Sequence, residues 1–161
     1  MEFKDFKQKV EEWARVRGIY DQSTEAHQQA KALEEIGEYL TATNDDERMD
    51  AIGDIAVCIV NAAKLDESKD QLTITYGQED DISDLAYYVL YGGYNLSLGI
   101  LHDIAINNNL NFQRCLSGAW NEIKDRKGMM IDGKYVKWES MTEEQKAEFN
   151  RRDSGNTLIR E

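Results

Sequence analysis

The sequence predicts an all-α fold, and three observations carry that expectation. The 161 residues include no proline, so no position forbids an interior helical hydrogen bond. Apolar residues recur at helical spacing in one segment after another. Glu, Lys, Ala and Leu, which favour helix, fill the positions between. The expected architecture is a four-helix core with a small C-terminal hairpin and a short last helix.

Each element follows from a local pattern. Phe3, Phe6, Val10 and Trp13 mark an amphipathic helix over about 3–17. GIYDQST reads as a loop in which Ser23 or Thr24 caps a second helix over about 25–42. After the polar link TNDDE, a third helix runs over about 46–65. There Ile52, Ile55, Ala56, Ile59, Val60 and Ala63 form one apolar face. LDESKDQLTITYGQEDD is a long connection in which LTITY is the candidate for a short strand. A helix is expected over about 81–107, with Gly92-Gly93 bending it or allowing close packing. Another follows over about 111–127, with Gly128 at its C′ position. MMIDGKYVKW predicts a hairpin turning at Asp132-Gly133. Thr142 to Gln145 predicts a capping box, and the tail after Asn150 is expected to be mobile. Residues 1–138 form one domain, followed by a C-terminal appendage over 139–161.

Composition narrows the function classes. A net charge of -12 argues against non-specific binding to duplex nucleic acid. An anionic ligand remains compatible if metal cations stand between it and the protein. No run approaches the length of a membrane span, and Lys4, Asp5, Lys7 and Lys9 interrupt any signal peptide. Cys58 and Cys115 lack metal-ligand spacing and read as buried thiols. The expected setting is the cytoplasm, or the host cytoplasm for a phage protein, without membrane contact.

KALEEIGEYL raises the chemical question. It places Glu34, Glu35 and Glu38 within five positions, and like charges one turn apart on a helix repel. The next helix offers Asp50 and Asp54, roughly opposite its apolar stripe, with Asn61 near the same line. Only a short link joins the two helices, so they should pack antiparallel. Their carboxylates then either form a solvated acidic face or hold a hard cation such as Mg2+, which prefers carboxylate and phosphate oxygens. Lys124, with Arg126 or Lys127, can contact phosphate directly, or simply suit a helix C-terminus. Gln28 and Lys31 precede the glutamates by one to two turns and are candidates to reach a base or phosphate. His27 and His102 are isolated, and Trp13 and Trp120 read as core residues before stacking platforms.

These motifs resemble those of the MazG-like all-α nucleoside triphosphate pyrophosphohydrolases. KALEEIGEYL carries their GluGluxxGlu, and DAIGDIAV resembles their acidic-xx-Asp helix. WARVRGIYDQSTEAHQQAKALEEIGEYL is similar to the first two helices of the phage-type branch. CLSGAWNEIKDRKGMMIDGKYVKW resembles the last core helix, with AsnxxLys followed by Arg-Lys-Gly. The likeness spans about residues 10–138. It implies Mg2+-dependent hydrolysis, with Mn2+ as an alternative ion, of nucleoside triphosphates to monophosphate and pyrophosphate. It places Glu35, Glu38 and Asp54 on metal-ligand positions, and Glu34 on a metal or water-positioning one. Asn121 and Lys124 fall on positions that touch nucleotide or phosphate. It further implies a dimer or tetramer, and a role in trimming or cleaning the nucleotide pool. One departure stands out. Ala51 occupies the position where many members carry the other acid, and Asp50 is the expected substitute as a metal ligand. A narrow dUTP or dCTP hydrolase and a non-catalytic nucleotide-binding or helical adaptor module are the alternatives.

Overall fold

The computed structural model describes residues 1–66, 71–77 and 81–155. Among them are eight α-helices and one two-stranded sheet. The helices are α1 (Phe3–Val16), α2 (Ile19–Gln22), α3 (Glu25–Thr41), α4 (Asp45–Leu65), α5 (Ile82–Leu90), α6 (Tyr94–Asn107), α7 (Phe112–Ile123) and α8 (Glu143–Ser154). Strands β1 (Gly128–Ile131) and β2 (Lys134–Lys137) pair antiparallel. The all-α class with a C-terminal hairpin is therefore the observed one.

Helix α4 is the hub. It packs most extensively on α3, and also on α7, α1 and α6. The expected stripe from Ile52 to Ala63 is buried, and so are Val57, Cys58, Asn61 and Ala62 outside it. A helix wrapped by four others cannot keep a wholly polar face. Caps fix the starts of the two acidic helices. The Thr24 side chain accepts from His27 N–H, and the Asn44 side chain accepts from Glu47 N–H. Glu47 reaches back to Thr43 N–H at 2.6 Å.

Four local expectations are corrected. The helix expected over 81–107 is two helices, because Gly92 adopts a left-handed φ of 72°. Gly93 N–H then closes α5 on Tyr88 O at 2.8 Å. LTITY forms no strand; Thr73 and Thr75 N–H bond to the side chain and carbonyl of Asn95 at the start of α6. GIYDQST holds the short helix α2, begun by Gly18 at φ 70°. Helix α7 stops at Ile123, and Gly128 is the first residue of β1. A Cβ at Gly128 would lie 2.6 Å from Val136 O, so the hairpin itself requires this glycine. The turn at Asp132-Gly133 is as expected, with φ of 49° and 75° suiting a primed hairpin turn. The expected capping box at Thr142 starts α8. That helix continues past Asn150 to Ser154, and residues 156–161 lie outside the described residues.

Arg17 fastens the hairpin to the bundle. It is 2% exposed, and its guanidinium lies over the rings of Trp13 and Phe149 at 4.5 and 5.5 Å. It donates to Trp13 O at 3.1 Å and to Arg126 O. Met130 N–H donates in return to Arg17 O at 2.8 Å. Burial pulls the Arg17 pKa down to about 10, which leaves it a cation at neutral pH. Its charge is met by ring faces, carbonyls, the Tyr135 side chain and the charge of Asp153.

Candidate metal centre and cleft

The two acidic helices are antiparallel neighbours, as their short link requires. Glu35 on α3 faces Asp54 on α4 across a cleft of about 500 Å³. Trp13, Ile19, Val57, Ile123 and Met130 supply its apolar wall, and its polar lining includes His27, Gln28, Lys31, Asn61 and Arg126. The Trp13 ring is fixed by its indole N–H, which donates to Ile123 O at 2.8 Å. An apolar slot with a few convergent polar groups is the usual form of a small-molecule site.

Carboxylate crowding is concentrated at one end. Burial, then the charges of Glu35 and Asp50, raise the Asp54 carboxyl from 3.8 to about 7, against the pull of Arg126. Burial and Glu38 raise Glu35, opposed by Lys31. One oxygen each from Asp50, Asp54 and Glu122 lie within 4.8 Å of one another. Three carboxylates so placed repel unless protons or cations intervene. Their oxygens are the donor set that Mg2+ or Mn2+ prefers. These residues therefore fit a hard divalent ion.

Close packing of α4 on α7 brings Glu122 to this group. Gly53 permits it: a Cβ there would lie 2.6 Å from Cys115 O and 2.7 Å from the Ala119 Cβ. Glu122 was not among the residues singled out from the sequence. Its signal was weak but present, since it lies off the apolar stripe of α7 and one turn before Arg126, with which it pairs.

The remaining expected residues divide. Gln28, Lys31, Glu35, Asp54 and Arg126 share the cleft. Asp50 is exposed at its acidic end beside Asp54. Glu38 is exposed, yet near enough for its charge to raise both Glu35 and Asp54. Glu34 points to solvent, its side chain 69% exposed, 3.8 Å from Lys31. Asn121 and Lys124 do not line this cleft. They border a separate depression with Lys9, Arg17 and Trp120. Ala51 is buried at 4% exposure, so its side chain belongs to the core and not to the acidic group. Cys58 and Cys115 are buried free thiols, as expected. No described helix is long and apolar enough to cross a membrane. The chain matches no family model, no curated protein and no solved structure.

Proposed function

We propose that this chain is a Mg2+-dependent nucleoside triphosphate pyrophosphohydrolase that trims or cleans the nucleotide pool. The observation that carries this reading is the cleft itself. Glu35 and Asp54 line it beside an apolar wall that includes Trp13, and Asp50 and Glu122 each bring a carboxylate oxygen close to Asp54. A triphosphate carries about four negative charges near neutral pH, so it approaches such a cluster only through cations. The resemblance of KALEEIGEYL, DAIGDIAV and the AsnxxLys helix to the MazG-like enzymes supports the same chemistry. Mn2+ is an alternative ion, and self-association as a dimer or tetramer is part of the proposal.

The residues divide the work. Asp50, Asp54 and Glu122, with Glu35, would hold the ion. When bound, a divalent ion offsets phosphate charge and lowers the pKa of a water that attacks phosphorus. Lys31 and Arg126 flank the carboxylates and supply direct contacts to phosphate oxygens. Glu38 at the open mouth can orient water entering from solvent, while Glu34, held toward Lys31, balances charge at the rim. Trp13 and its apolar neighbours exclude water from the far end. Attack at the α-phosphate breaks the bond to the β-phosphate and yields monophosphate and pyrophosphate. With Mg2+ and a panel of nucleotides, pyrophosphate should appear without orthophosphate, and a chelator should stop its release. Diphosphate and orthophosphate as products would overturn the reading.

The ligand set has its own test. Asp50→Asn and Glu122→Gln should each weaken Mg2+ binding, read by calorimetry, about tenfold or more. Ala51→Glu should not rescue Asp50→Asn. It should lower stability by about 3 kcal/mol or more, because the new carboxylate would be buried in the core. Full rescue would show that the helix can turn position 51 toward the ion.

A second reading is a module that binds nucleotide without turnover. It is favoured by the buried alanine at position 51, where the resembling enzymes carry an acid. Nucleotide binding with Mg2+ and no pyrophosphate over long incubation would support it.

A further inference from the structure

Glu122 takes part in two arrangements that compete. One of its oxygens lies within 4.8 Å of an oxygen of Asp50 and an oxygen of Asp54, the grouping a divalent ion would bridge. Its side chain is also the ion-pair partner of Arg126, four residues further on. The Arg126 charge is felt at Asp54 too, where it opposes the rise of that carboxyl. Before an ion binds, this guanidinium therefore supplies part of the positive charge that the carboxylates call for. A carboxylate that gives its charge to a divalent ion holds a neighbouring guanidinium less well, and the two cations repel.

Arg126 has a fixed root and a free end. Its N–H donates to Ile123 O at 3.0 Å, and its carbonyl accepts from the buried Arg17 guanidinium. Its side chain is 52% exposed and that of Glu122 is 44% exposed. Arg126 lines the cleft and also a neighbouring depression that includes Tyr135 and Trp138. The guanidinium thus has open space on either side, and it can change partner by side-chain rotation with the backbone held. An exposed pair one helical turn apart shifts an equilibrium only about twofold. A divalent ion shared by three carboxylates outweighs it.

We propose that Arg126 exchanges partners: it pairs with Glu122 before an ion binds, and a divalent ion on Glu122 releases it to a phosphate group in the cleft. This inference rests on the metal centre and phosphate ligand of the reading above, and adds how that site is regulated, with the ion first and the anion second. The size of the effect follows from the pair. A pair favoured about twofold leaves Glu122 unpaired in about one molecule in three. Mg2+ then binds about threefold more weakly than it would to the carboxylates alone. By reciprocity the ion makes Arg126 available, and anion affinity through Arg126 rises by the same factor.

Nuclear magnetic resonance reads the exchange directly. Mg2+ alone, without nucleotide, should move the Arg126 Nε resonance toward the position it takes in Glu122→Gln. Calorimetry gives its size. Arg126→Gln should bind Mg2+ about threefold more tightly than the wild type. The same variant should bind inorganic triphosphate, in excess Mg2+, more weakly by about tenfold or more. In a Glu122→Gln background the gain in Mg2+ affinity should shrink toward one, because no pair remains to be broken. Circular dichroism verifies that each variant is folded. An Nε resonance unmoved by Mg2+ would overturn the inference. So would a gain of equal size in the Glu122→Gln background, which long-range charge alone produces, or triphosphate binding unaffected by Arg126→Gln. None of these measurements needs turnover. The exchange without pyrophosphate release would refute the enzymatic reading alone, and pyrophosphate release without the exchange would refute this inference alone. A wild type that binds no Mg2+ would overturn both.

Discussion

Asp54→Asn should abolish turnover, by about a hundredfold or more, and at the same time make the ligand-free protein more stable at pH 8. Both outcomes come from one arrangement. Asp54 is the innermost carboxylate of the acidic end, half-buried, with Glu35, Asp50 and Glu38 all raising its proton affinity. Without a cation its charge is unfavourable in the fold. Asparagine keeps the shape and removes that charge. On the proposed reading the chain gives up stability for ion binding, and a loss of stability in this variant would contradict the account.

The pH dependence has a definite sign. The Asp54 carboxyl rises from 3.8 to about 7 on folding, so between about pH 4 and pH 7 the folded state holds a proton that the unfolded chain has released. Stability then falls as pH rises through that window. Glu35, raised in the same direction, adds to the slope. The ligand-free wild type should melt at a higher temperature at pH 5 than at pH 8, and Asp54→Asn should flatten the difference. Added Mg2+ should restore the wild-type melting temperature at pH 8, by about 2.7 kcal/mol at a hundred times its Kd. It should do little for the variant. A wild type that is more stable at pH 8 than at pH 5 without metal would refute the crowding argument.

Local pattern made the helices legible from sequence, because periodicity and caps are short-range. The apolar stripe of α4, the Thr24 cap, the Asp132-Gly133 turn and the Thr142 capping box are such cases. The errors came where a tertiary contact overrode propensity. Helix α7 ends early because Arg17, 109 residues away along the chain, binds the Arg126 carbonyl. The segment Leu72 to Tyr76 has strand-like composition but finds Asn95 in place of another strand. The site divides in the same way. Glu35, Asp50 and Asp54 sit on two sequence neighbours, so spacing along the chain was enough to place them together. Glu122 depends on how α7 packs on α4, and Asn121 and Lys124, its neighbours in sequence, turn to another depression. Asn61 was visible near the acidic line, but its hydrogen bond with the Tyr20 hydroxyl is a contact that sequence spacing does not reveal.

Two glycines should respond in opposite directions to the same substitution. In helix interiors glycine costs about 0.5–1 kcal/mol relative to alanine, so propensity alone predicts that Gly→Ala stabilises both Gly37 and Gly53. Gly37 lies on the exposed side of α3, with nothing within 4 Å of a modest added Cβ. Gly37→Ala should therefore gain most of that amount. At Gly53 the added Cβ would meet the Cys115 carbonyl at 2.6 Å and the Ala119 Cβ at 2.7 Å. Neither neighbour is a flexible side-chain end, so α7 must move away from α4. Overpacking of this kind costs about 1–3 kcal/mol, which outweighs the gain in propensity. Gly53→Ala should lower the melting temperature by several degrees, on the order of 2–8 °C for a chain of this size. The displaced helix carries Glu122, so Mg2+ affinity should fall as well, while Gly37→Ala leaves it unchanged. A stabilised Gly53→Ala variant with normal Mg2+ binding would show that the approach of α7 to α4 is not what assembles the acidic end.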